Sequence, residues 1–149
     1  MKIITTRFGE LEIADEKILQ FPHGLLGFEN NKKFILLDHD KDNDVLCWLQ
    51  SADIPDLAFV VANPARFFND YIYNLKDDYL KILNTDNAKD LVTFIILSFY
   101  DKGNTITANL MAPLIINIEK FVGTQAILDE PHYTTKHQLY PAEEKSAAK

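Results

Sequence analysis

Residues 38–44 read Asp38-His39-Asp40-Lys41-Asp42-Asn43-Asp44, with a carboxylate at every second position. Oxygen ligands at alternate positions open a helix-loop-helix calcium loop, so metal binding is the first chemistry to test. Such a loop also needs a glycine at its sixth position and a bidentate glutamate at its twelfth. Asn43 and Leu49 stand there, and the flanks KFILL and VLCWL read as strands. The pattern argues for an acidic hairpin loop of six polar residues, from Asp38 or His39 to Asp44. Two roles stay open for Asp38, Asp40, Asp42 and Asp44: they keep a hairpin soluble and protect sheet edges, or they steer a basic partner.

Other candidate chemistry is sparse. The histidines are His23, His39, His132 and His137. His132 and His137 are five apart, which on a strand puts them on opposite faces and argues against a shared metal. Glu10 and Glu12 fall on one strand face, but nothing apolar beside them would raise a carboxyl pKa for acid–base work. Gly24 and Gly27 lack the Lys-Ser/Thr and the following helix of a phosphate loop. Cys47 has no basic neighbour in sequence to activate its thiol and reads as a core residue. Phe67, Phe68, Tyr71 and Tyr73 follow Arg66, but Asp70 sits among them. They read as packing a helix onto the body rather than stacking on bases. The chain reads as a non-enzyme with no cofactor. The alternative is a small ligand- or metal-binding barrel, or an enzyme of unknown substrate.

Composition narrows the class. A chain of 149 residues, 47% hydrophobic and 11% aromatic, is expected to form one domain with a packed core. One cysteine allows no disulfide within the chain and suits a reducing cytoplasm. The start, MKIITTRFGELEI, lacks the apolar run of a signal peptide, and no apolar run approaches the ~20 residues of a membrane span. Net charge is −7, and residues 38–56 carry six acids against one lysine. Such a surface repels phosphate backbones and attracts basic proteins, so direct nucleic-acid binding is not expected.

Period-two alternation dominates the elements that would position these residues. KIITTRF and GELEIA make a hairpin around Gly9, and ILQF at 18–21 continues its sheet. KFILLD (33–38), VLCWLQS (45–51), LAFVVANP (57–64), DLVTFIILSFYD (90–101), TITANLMAP (105–113), LIINIEK (114–120) and TQAIL (124–128) read as further strands. LKDDYLKILN (75–84) reads as a helix, with Asp77 and Asp78 suiting its first turn. The expected fold is all-β: a small, closed or nearly closed antiparallel barrel with one or two short helices. Residues 1–140 form the domain, and 141–149 a polar, disordered tail. No long apolar stripe is exposed in the pattern, so a monomer is expected.

FPHGLLGFE (21–29), LQSADIPDLAFVVANP (49–64), TANLMAPLIIN (107–117) and TQAILDEPHYTTKHQL (124–139) together, in this order and spacing, resemble the FliW-type flagellar assembly factors. The resemblance runs from Ile3 to about Leu139. It implies a β-barrel without enzymatic activity that binds cytoplasmic flagellin. It also implies binding to CsrA, a small basic dimer that represses flagellin mRNA, with the two partners mutually exclusive. Within these stretches Asp53 and Asp56 flank Pro55 in a loop and could be contacts or a solvated turn. Tyr133 and His137 lie in a segment, 131–139, that could be a partner-binding arm or a last edge strand. Asn63, Asn109 and Asn117 are polar residues in apolar runs, expected to bond neighbouring backbone.

Overall fold

The computed structural model describes residues 1–40, 43–68 and 70–139, without the side chains of residues 39–40 and 43–45. The expected tail at 141–149 lies outside the described residues.

Strands β1 (Lys2–Thr5) and β2 (Gly9–Glu12) form a separate two-stranded sheet, with Ile3 opposite Leu11. Thr5 Oγ1 donates to the Gly9 carbonyl at 2.9 Å and accepts the Phe8 N–H at 2.8 Å, closing the turn. Ile3 packs with Ile18 and Ile35. The sequence expectation that ILQF extends this hairpin does not hold. A short turn at Asp15–Lys17 redirects the chain, and β3 (Leu19–Gln20) joins the large sheet instead.

That sheet closes on itself. The ring runs β3, β4 (Lys33–Asp40), β5 (Asn43–Ser51), β6 (Ala58–Ala62), β7 (Leu91–Tyr100), β9 (Leu114–Asn117) and β10 (Val122–Gln125), then back to β3. Every junction is antiparallel except the last, where Val122 and Gln20 meet in parallel. β7 is long enough to serve two partners along one edge, with β6 on the other. Leu91–Phe94 pair with β9, and Leu97–Tyr100 pair with β8 (Thr105–Ala108). The Asn109 N–H fills the interval by donating to the Ile96 carbonyl at 3.0 Å. β8 in turn carries β11 (His137–Leu139).

Alternation along β7 feeds two cores. Phe94 and Ile96 pack into the barrel with Phe21, Phe34, Leu49, Val61 and Leu114. Ile95 and Leu97 turn the other way, onto Leu110, Leu128, Tyr133 and Leu139. A strand covered on both faces explains the nearly unbroken apolar run LVTFIIL. Inside the barrel Gly123 is required by contact: a Cβ there would lie 2.7 Å from the Phe21 ring.

The second core is roofed by residues 67–68 and 70–75. Phe67, Phe68, Tyr71 and Tyr73 pack onto it as an irregular strap rather than on a helix, which corrects the sequence reading. The α-helix, α1 (Asp77–Ile82), starts only after the strap and is shorter than the predicted 75–84. The three asparagines bond backbone as expected. Asn63 Oδ1 accepts from Ala65, Asn109 Oδ1 from Ala112, and Asn117 Oδ1 from Glu119 and Lys120.

Candidate partner interface

The acidic stretch is a ribbon more than a loop. Pairing of β4 with β5 runs from Phe34–Ser51 to Asp38–Cys47, shifts register, and resumes at Asp40–Asn43. Most of the predicted six-residue connection is therefore strand. Alternating aspartates have the period of a strand, and that period prevailed over the reading of charge as loop. β6 pairs with β5 no further than Leu46–Ala62, so beyond it the ribbon projects past the barrel wall. Asp38 is exposed on it. Asp42 lies outside the described residues, as do the side chains of Asp40 and Asp44 and with them the calcium reading.

Asp53 and Asp56 stand at the other end of β5. Ser51 Oγ accepts the N–H groups of Asp53 at 3.1 Å and Ile54 at 2.9 Å, curling the chain directly after the strand. The buried Gln50 amide donates to the carbonyls of Ser51 at 3.0 Å and of Pro55 and Leu57 at 3.2 Å, gathering the loop around itself. The Thr6 hydroxyl donates to the Asp56 carboxylate, and the Thr6 N–H to the Pro55 carbonyl at 3.1 Å, tying the loop to the β1–β2 hairpin. Both carboxylates are exposed. Eight residue steps of β5 separate this loop from Asn43, about 26 Å at the usual rise. The acids that cluster at 38–56 in sequence therefore form two patches, not one.

Tyr133 and His137 are brought together on the second core. Tyr133 is buried, and its hydroxyl accepts the Ile72 N–H at 2.9 Å while donating to the Ile72 carbonyl at 2.8 Å. Further along, Lys76 pairs with Asp129 at 2.8 Å and the Tyr79 hydroxyl accepts the Ile127 N–H at 3.0 Å. The strap and residues 127–133 thus run antiparallel, joined through side chains. His137 sets its ring edge-on to Phe68 at 5.2 Å, and His132 lies over Tyr133 at 4.2 Å. Phe68, Asp70, Tyr71, His132 and His137 line a cavity of about 210 Å³. The sequence reading placed the two histidines on opposite faces. They share this cavity because residues 131–136 turn rather than run as a strand, which starts only at His137.

The Tyr71 hydroxyl donates to the Leu110 carbonyl at 2.6 Å. Burial pushes its pKa well above the usual phenol range, and the neighbouring Tyr73 and Tyr133 add to the shift. Burial raises Tyr73 as well, against the opposing effect of its bond with Thr93. Sequence reasoning missed Ile72. The signal was present: Tyr71, Tyr73 and Leu75 alternate inward, and Ile72 stands on the opposite, polar phase with Asn74.

Fold and surfaces together define a small, nearly closed β-barrel with a strapped outer face and a projecting acidic ribbon. No helix among the described residues is long and apolar enough to cross a membrane. The FliW protein family model matches residues 2–139, and the chain belongs to that family. It is 38% identical over 141 residues to a flagellar assembly factor FliW of Desulfitobacterium hafniense (strain DSM 10664 / DCB-2), covering 95% of this chain and 92% of that one. It is 39% identical over 139 residues to the Treponema denticola protein of the same description, covering 93% of each. A crystal structure of the flagellar assembly factor FliW superposes with a TM-score of 0.86 at 36% identity, covering 96% of this chain and 99% of that one.

Proposed function

We propose that the chain is a non-enzymatic regulatory binding protein of flagellum assembly, acting in the cytoplasm as a monomer when free. It binds the translational repressor CsrA and so relieves repression of flagellin mRNA. It also binds cytoplasmic flagellin, and the two partners exclude one another. When flagellin accumulates it occupies the protein and leaves CsrA free to repress. When flagellin is exported, CsrA is captured and translation resumes.

The observation that carries this reading is family membership along residues 2–139. Electrostatics supports it. A net charge of −7 with an acidic ribbon favours encounter with a basic protein and disfavours competition for the RNA itself. The test is titration calorimetry of the purified chain against CsrA, repeated with flagellin already bound. Tight binding that flagellin abolishes is the expected result. Simultaneous binding of both partners would refute the switch, and binding to neither would refute the reading.

A further inference from the structure

Among the exposed large apolar side chains of the described residues Ile72 stands highest, at 73% exposure. Exposed aliphatic residues on mobile segments are ordinary. Ile72 is held differently. Its N–H and its carbonyl are both taken by one hydroxyl, that of Tyr133, whose ring is buried in the second core. Tyr71 and Tyr73 on either side pack into that same core. The side chain between them is presented to solvent on a backbone fixed from three directions. The backbone of an anchor held in this way has already lost its conformational freedom on folding, so a partner need not order it.

The setting defines what such an anchor meets. The cavity lined by Tyr71, Tyr133 and Asp70 opens beside it. Asp129, paired with Lys76, lies along the same strap. The acidic ribbon leaves the barrel on this flank, because Leu46 at its base packs onto the cluster that holds Tyr133. An apolar knob among carboxylates fits a surface with an apolar hollow rimmed by Lys and Arg. A second copy of this chain would bring carboxylate against carboxylate.

We propose that Ile72, clasped by Tyr133, is the apolar anchor through which the chain docks on its basic partner. Identifying that partner as the basic repressor rests on the preceding subsection. Ile72 inserts into the partner's hollow, Asp70 and the acidic ribbon meet its basic rim, and Tyr133 is a positioning residue that touches the partner little.

The test compares the unsubstituted protein with Ile72→Asp, Tyr133→Phe and, as a control, Ile4→Asp at another exposed isoleucine, on the separate β1–β2 sheet. Each is titrated against CsrA and against flagellin, with self-association followed by sedimentation and folding by thermal melting. Ile72→Asp should melt normally, since the side chain is solvent-exposed, yet bind CsrA about 30-fold more weakly, as at an interface hot spot. Tyr133→Phe keeps the ring and frees the strap. It should weaken binding less, with a more unfavourable binding entropy, and Ile4→Asp should leave binding unchanged. Unchanged CsrA affinity in Ile72→Asp overturns the inference while leaving the proposed function standing. So does an effect confined to flagellin or to self-association, which assigns the knob to that occupant instead. If the unsubstituted protein binds neither partner, the proposed function fails and the inference with it.

Discussion

Asn117 Nδ2 donates to the Leu83 carbonyl at 2.9 Å, tying β9 to the residue that ends α1 across 34 positions of sequence. Both residues are buried, and the same amide accepts the N–H groups of Glu119 and Lys120 through Oδ1. One side chain therefore satisfies three backbone groups. Asn117→Ala would leave the Leu83 carbonyl unpartnered in the interior, at a cost of about 2–3 kcal/mol. The melting temperature should fall by roughly 4–12 °C for a chain of this size. A melting curve superposable on that of the unsubstituted protein would contradict the assignment.

Gln50 gives a prediction with a pH signature. Its amide is buried and donates to loop carbonyls. A carboxyl in that place can donate a hydrogen bond only while protonated, so Gln50→Glu raises the folded-state pKa of the new group above its unfolded value. The variant should be most stable near pH 4 and lose stability as pH rises past about 4.3. Urea midpoints for variant and parent across that range decide it. Parallel curves would mean the loop opens to solvate the acid.

The Tyr71 and Tyr73 phenols predict behaviour at alkaline pH. Burial raises both in the folded protein, while in the unfolded chain they ionise near pH 10. Above that value the unfolded state releases protons that the folded state keeps. Their contribution is present in full below about pH 10 and declines as pH rises through it. Spectrophotometric titration should show at least two phenols ionising only as the fold is lost, and Tyr71→Phe should flatten part of the alkaline decline. Reversible ionisation of every tyrosine near pH 10 in the folded state would count against this burial.

The two acidic patches should behave differently toward a basic partner. Asp38→Asn, Asp40→Asn, Asp42→Asn and Asp44→Asn combined should slow association with CsrA several-fold at low ionic strength, and the difference should shrink with added salt. Asp53→Asn with Asp56→Asn should change that rate little, since these carboxylates stand at the opposite end of β5 and one of them is engaged with Thr6. Stopped-flow rates at two salt concentrations separate the sets. Equal slowing by both would return the acids to a single diffuse field.

Much of the barrel was legible because alternation is a local signal. β4, β5, β7 and β9 appear where the apolar phase puts them, and the all-β class follows from their number and spacing. Closure was expected, but the strands that make it were not legible. It depends on β3 meeting β10 through Val122 and Gln20, and periodicity does not say which edges pair. The surfaces divide in the same way. Asp53 and Asp56 were visible as loop acids, but counting charge along the chain merged them with the ribbon and ignored the length of β5. Tyr133 was singled out within a segment of open role. Its partner, Ile72, lies 61 positions away, and no local pattern connects them.

Gln20 lies 102 positions before Val122. On a ribosome adding about 5–20 residues per second, β3 waits roughly 5–20 s before the strand that seals its open side exists. For that interval the nascent sheet has an open edge, the kind of surface that recruits wrong strands. β3 is only two residues long. The brevity that leaves the finished barrel closed by a single residue pair also gives a neighbouring nascent chain almost nothing to copy while it waits.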